Sequence, residues 1–313
     1  MTRDAPLRQV GHVELPPHEG KGGFDHAAVH AATGHVYVAH TANHSVDVFD
    51  PAAGVLLYSV PGLTGAAGVV VSDAAQLVIV TNRGENTIGV VRPGSRSDVQ
   101  KLPVGMYPNG VAYDHERRNV LVANVGDVAV PGSHTLSIVS LDARRMPAEI
   151  PVPGRTRWAL YDAVADCFYV NIVEPAQIVV IDGGNPRAIA RSYPVPAAGP
   201  HGLDLDPVTQ RLFCACDAGR LCVLDARDGR LLDEHQLSGV PDVVFFNPLR
   251  NQLYVAVGDP GTIDVFDTAA MRPLGQVATE RGAHTFALAP TGDRLYAFLP
   301  ASHRAAIYEV DAT

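Results

Sequence analysis

The segment Leu77-Val78-Ile79-Val80-Thr81-Asn82-Arg83-Gly84-Glu85-Asn86-Thr87-Ile88-Gly89-Val90-Val91 decides the architecture. It opens on a run of β-branched and aliphatic residues, breaks at the polar stretch Asn82 to Asn86, and resumes as a second apolar run. Residues of the first kind fit a pleated, half-buried or buried surface. Asn and Gly in the break supply a tight turn. The segment therefore predicts strand, turn, strand. The same phrase returns along the whole chain, so one supersecondary unit is repeated.

Alignment of the phrase gives seven copies. Their inner segments begin at Phe24-Asp25-His26-Ala27, Ala66-Ala67-Gly68-Val69, Pro108-Asn109-Gly110-Val111, Thr156-Arg157-Trp158-Ala159, Pro200-His201-Gly202-Leu203, Pro241-Asp242-Val243-Val244 and Ala283-His284-Thr285-Phe286. Successive starts lie 42, 42, 48, 44, 41 and 42 residues apart. A steady period in the forties, with several short strands per unit, is the signature of a β-propeller. The chain is predicted to be all-β: a single domain over residues 1–313, a seven-bladed β-propeller of four-stranded antiparallel blades. In the fifth copy strand a falls at Gly202 to Leu205, b at Arg211 to Cys216, c at Leu221 to Leu224 and d near Leu231 to Leu237. Asp50, Asp182, Asp225 and Asp267 close strand c and are expected to fix the following turn through backbone N–H groups.

The last copy stops after strand c, at Ala306-Ile307-Tyr308-Glu309-Val310. The segment Gln9 to Leu15, within residues 8–16, is expected to supply the missing outer strand, pair with Tyr308 and its neighbours, and close the ring. The third copy is longest because Val128 to His134 extends its b–c turn. Such an insertion either decorates a binding face or is neutral.

With 313 residues, 47% of them hydrophobic and 18% charged, the chain can bury a large core. Its net charge of −9 makes nucleic acid and an anionic membrane poor partners. No run approaches the ~20 apolar residues that span a bilayer. The first twenty residues lack the apolar core of a signal peptide, so a cytoplasmic location is expected. Cys167, Cys214, Cys216 and Cys222 read as small buried residues in a reducing compartment, with a thiolate metal site or redox pair as the alternative.

Val80-Thr81-Asn82 followed by Gly84-Glu85-Asn86-Thr87-Ile88-Gly89-Val90-Val91 resembles the YVTN repeat of YncE-like seven-bladed β-propellers. Val36-Tyr37-Val38-Ala39 with Asn43 to Asp50, and Leu253-Tyr254-Val255-Ala256 with Gly261 to Asp267, resemble it too. The resemblance covers essentially the whole chain and implies a disc with a central channel, not a reaction. Regucalcin-like lactonases and streptogramin lyases are more distantly similar in fold and hold a divalent metal at the channel mouth.

In a propeller strand a lines the channel, and its first channel position in each copy faces the mouth. Those residues are Asp25, Ala67, Asn109, Arg157, His201, Asp242 and His284, and all but Ala67 are polar. His201, His284, Asp242 and Asp25 form a candidate metal set for Zn²⁺, Mn²⁺, Fe²⁺ or Ni²⁺, with His26 and His40 as replacement ligand or base. Arg157 is a candidate clamp for an anionic substrate. Tyr107 and Trp158 offer an apolar wall and Asn109 a hydrogen bond. The same polar ring also suits a water-filled channel, or a metal-free small-molecule site. Asn43, His44, Glu85, Asp127, Glu174, Asp217, Asp259 and His303 fall in b–c loops on the same face, as an acidic rim or as ordinary turns. G-x-G-x-x-G, P-loop, G-x-S-x-G and H-E-x-x-H motifs are missing. Two functions are expected: a small-molecule enzyme of lyase or hydrolase type with a divalent metal at the mouth, or a non-catalytic propeller that binds a ligand or a protein partner.

Overall fold

The computed structural model describes residues 6–20 and 22–310. The strands form seven separate four-stranded antiparallel sheets. A single 3-10 turn, Thr41–Asn43, is the helical element among the described residues. The inner strands are Phe24–Val29, Ala66–Ser72, Pro108–Asp114, Thr156–Asp162, Pro200–Asp206, Val240–Asn247 and Phe286–Leu288. Their starts match the repeat alignment in blades one to five and differ by one residue in blade six. In blade seven the strand starts later than expected. Gly282 there takes a φ of 90°, and the Ala283 amide bonds back to the Glu280 carbonyl, so a turn occupies the positions ahead of Phe286.

The ring closes as the sequence predicts. Leu7–Glu14 is the outermost strand of blade seven, antiparallel to Arg304–Val310, with Gln9 opposite Tyr308. Leu7 inserts into the core between blades six and seven, and Val13 and Leu15 into the core between seven and one. Strand c ends as expected too: Asp50, Asp182, Asp225 and Asp267 each accept backbone N–H bonds from the turn that follows.

Each blade buries both faces, so the hydrophobic core is seven layers, one per blade junction. Between blades four and five, for example, Tyr169, Ile178 and Val180 pack on Leu212, Cys214 and Cys222. All four cysteines are free and buried within this layer.

Candidate functional site

The mouth of the channel is built from a recurring irregularity of the inner strands. In blades one to six the pairing of strand a with strand b skips just after the strand begins. The gaps lie between Phe24 and Ala27, Ala66 and Val69, Pro108 and Val111, Thr156 and Ala159, Pro200 and Gly202, and Pro241 and Val244. The skipped residues include Asp25, His26, Asn109, Arg157, Trp158, His201 and Asp242. A bulge twists its strand and re-aims the side chains on it. The same positions are brought close to one another by glycine. A Cβ on Gly202 would stand 2.1 Å from the Asp242 carbonyl oxygen, and one on Gly110 would stand 2.3 Å from that of Arg157. Only a residue without a Cβ lets neighbouring inner strands approach this far.

His201 is the centre of the resulting cluster. Its Nδ1 lies 2.7 Å from Asp217 Oδ1 and its Nε2 3.1 Å from Asp242 Oδ1. Burial alone would lower the pKa of this ring, but the carboxylates of Asp242 and Asp217 more than reverse that and raise it to about 9. Burial would raise Asp242 in turn, and the facing His201, helped by His284 and His26, holds it well below the usual carboxylate range. Asp217 is likewise lowered, against its own burial, by His201 and then Arg157. Near neutral pH the unit is thus carboxylate, imidazolium, carboxylate.

His284 extends the cluster from blade seven. Its Nδ1 lies 2.8 Å from the Gly282 carbonyl oxygen. A carbonyl only accepts, so Nδ1 carries the proton and the neutral ring keeps its lone pair on Nε2. That nitrogen stands 3.9 Å from Asp242 Oδ2.

The other side of the mouth is cationic. Arg83 reaches Asn109 Oδ1 at 2.6 Å and Asp25 Oδ2 at 3.2 Å. Asp25 also lies 3.4 Å from His26 Nε2. Arg157 stands 3.7 Å from Asp217 Oδ2. Arg155, in the loop entering blade four, has its pKa pushed down by burial and then by Arg157 and Arg83, which places it in the field of both guanidinium groups. The buried Nε atoms of Arg83 and Arg157 have no hydrogen-bond partner.

Trp158 is the floor. It projects from blade four across the channel, its ring centroid 4.1 Å from that of His26 in blade one and 6.2 Å, edge-on, from that of Phe245 in blade six. His26 is buried, and desolvation lowers its pKa despite Asp25 and Asp242 nearby.

Most of the residues singled out from sequence therefore meet. Asp25, Asn109, Arg157, His201, Asp242 and His284 form the mouth, with His26 and Trp158 beneath them. His40 does not join them. It ends the second strand of blade one, opposite Phe24, and is fully buried, with Nδ1 2.7 Å from Asp47 and Nε2 2.9 Å from His18 Nδ1. Being one strand removed from the channel, it cannot present its ring there. Tyr107 occupies the turn before Pro108 at a φ of 52°, its amide bonded to Asn86, and is 42% exposed. Arg83 and Arg155 were not expected. The signal for Arg83 was available: like Asp217, it is the first residue after strand b, where a side chain can lean over the inner strand.

The expected metal ligands do not form a free donor set. Both ring nitrogens of His201 face carboxylates, and Asp25 is engaged by Arg83 and His26. Among the described residues no group of three or more His, Cys, Asp or Glu side chains is arranged to hold a metal ion.

No helix among the described residues is long and apolar enough to cross a membrane. No protein-family model matches the chain, and no curated protein does. Among solved structures it is similar to hydrazine synthase of Kuenenia stuttgartiensis, with a TM-score of 0.81 and 14% identity over 98% of this chain and 99% of that one. At that identity the likeness is one of fold, and with seven closed four-stranded sheets it makes this chain a seven-bladed β-propeller.

Proposed function

We propose that the channel mouth binds a small organic anion and can move a proton on it, which makes the protein a small-molecule enzyme of lyase or hydrolase type. The observation that carries this reading is the set of arginines at the mouth: Arg83 beside Asn109 and Asp25, Arg157 beside Asp217, and Arg155, whose pKa is pushed down by burial and then by Arg157 and Arg83. Arg155, in the field of Arg157 and Arg83, gains from an added anion, and the planar forks of these guanidinium groups match a carboxylate bidentately. Next to Arg157, across Asp217, stands the acid–base equipment. His284 has its lone pair fixed on Nε2 by the Gly282 carbonyl, and His201 is held as an imidazolium. Asn109 adds a hydrogen-bonding amide beside Arg83.

The test is isothermal titration with malonate, succinate and inorganic phosphate, on the intact protein and on Arg157→Gln and Arg155→Gln. A charge-assisted bond contributes on the order of 1.5–3 kcal/mol, so each variant is expected to bind about ten- to a hundredfold more weakly. Absence of binding by every anion, or equal binding by all three proteins, would overturn the reading.

A second reading follows the resemblance to YncE-like propellers: a non-catalytic disc whose top face docks a ligand or a protein. It is favoured if anions bind and His284→Gln leaves every screened lyase and hydrolase turnover unchanged. Metal uptake is read in the same samples by elemental analysis after incubation with Zn²⁺, Mn²⁺, Fe²⁺ and Ni²⁺. A stoichiometric ion lost in His284→Ala would replace the metal-free site with a metal centre.

A further inference from the structure

Beneath Trp158 the channel widens into a second space of about 350 Å³. All seven inner strands line it, through Val29, Val71, Tyr113, Leu160, Asp204, Phe245 and Leu288 among others. None of the mouth residues Asp25, Asn109, Arg157, His201, Asp242 or His284 reaches it. Most of the lining side chains are aliphatic or aromatic, the polar groups of His26, Tyr113, Trp158 and Tyr161 stand among them, and the one carboxyl group is that of Asp204.

That carboxyl group is fixed in place. Its Oδ2 accepts the Phe246 amide of the next blade at 2.6 Å, and its Oδ1 accepts the Leu205 amide at 2.8 Å. An ionised carboxylate has about four acceptor positions, so roughly two remain. No cationic side chain pairs with Asp204 among the described residues, and only burial and these two amides act on it. Asp204 is half-buried, so its charge is only partly hydrated and gains from a cationic partner in the chamber. A metal ion would find one carboxylate where it needs several oxygen or nitrogen ligands.

We propose that this lower chamber is a second binding site, specific for the ammonium group of a small apolar amine, with Asp204 as its counter-ion and the aliphatic and aromatic walls around its hydrocarbon part. The size fits. A cavity of about 150 Å³ holds a benzene ring, so 350 Å³ takes an arylalkylamine. The pH dependence has a definite sign. Burial raises the Asp204 carboxyl to about 7, so amine binding strengthens as pH rises through that value and Asp204 ionises. The other titratable side chains on the chamber wall are His26, whose pKa is lowered, and Tyr113 and Tyr161, whose pKa values are raised. None of these gains a positive charge as pH rises from 6 to 8.

The experiment uses benzylamine as probe and benzyl alcohol as its uncharged counterpart, read by isothermal titration and by emission of Trp158, the only tryptophan in the chain. Benzylamine is expected to bind at pH 8 several-fold more tightly than at pH 6, and at least about tenfold more tightly than benzyl alcohol. Asp204→Asn should weaken it by a similar factor, and Arg157→Gln, in the mouth, should not. Equal binding of the alcohol, an unchanged affinity in Asp204→Asn, or loss of binding in Arg157→Gln would overturn the proposal. If Asp204→Asn does not fold, the intact protein still decides, because a flat affinity between pH 6 and 8 is incompatible with Asp204 as the counter-ion.

Discussion

His201 is held between two acids, and this has a consequence for stability that its neighbours do not share. The folded protein raises its pKa to about 9, above the ordinary value of 6.5. A raised histidine stabilises the fold fully below about pH 6.5. That contribution fades as pH rises and is gone above about 9. A rise from 6.5 to about 9 corresponds to on the order of 3 kcal/mol, shared with Asp217 and Asp242 rather than added to theirs. The urea midpoint should therefore fall between pH 6 and pH 10, and His201→Gln should flatten that fall while lowering the midpoint at pH 6. An unchanged slope in the variant would mean the imidazolium does not exist. The residue itself was legible in the sequence, as a polar side chain at a repeated channel position. Its protonation state was not, because that depends on Asp217 arriving from another strand and Asp242 from another blade. Asp204 was hidden for the same reason: in sequence it is one more acid in a strand, and only the closed ring surrounds it with apolar walls.

The elements carry the same lesson. Period and apolar runs placed the inner strands of blades one to five at their first residue, and they placed the closing strand at Gln9 to Leu15 against Tyr308, where the structure has Leu7–Glu14. They did not reveal the bulges, since a skipped pairing involves two strands and leaves no mark on the spacing within one. Yet the bulges aim the site, and in blades two, three and five a glycine at the bulge, Gly68, Gly110 or Gly202, lets the next blade approach. Gly202→Ala would push a Cβ into backbone 2.1 Å away, where no side chain can give. It is expected to cost about 1–3 kcal/mol, as overpacking does, and to part Asp242 from His201, so the high-pH fall in stability should shrink with it. Wild-type stability in that variant would show that the strands are free to separate. The closing strand is tested by Leu7→Ala. Leu7 is 2% exposed in the layer between blades six and seven, and its truncation should cost about 2–4 kcal/mol, read as a lower urea midpoint. A cost near zero would mean that the ring does not rely on this seam.

At the scale of the whole molecule the blades touch mainly their neighbours, as stacked repeats do, and Trp158 is an exception. It leaves blade four and meets blades one and six across the axis, so it separates a charged mouth from an apolar chamber within one channel. Because the chain has one tryptophan, its fluorescence reports this partition without labelling. The partner ring, His26, lies 4.1 Å away and is buried, and burial lowers its pKa from 6.5 more than Asp25 and Asp242 raise it. A protonated imidazole stacked on an indole quenches its emission, whereas the neutral ring does so weakly. Emission should therefore drop at a lower pH than it would beside an ordinary histidine, while the fold is still intact by circular dichroism. His26→Leu should abolish the drop and keep an apolar contact beneath the mouth. A midpoint at or above 6.5, or the same drop in His26→Leu, would show that His26 is open to water and that mouth and chamber are one continuous space. A lower midpoint lost in the variant would establish the partition on which two separate sites in one channel depend.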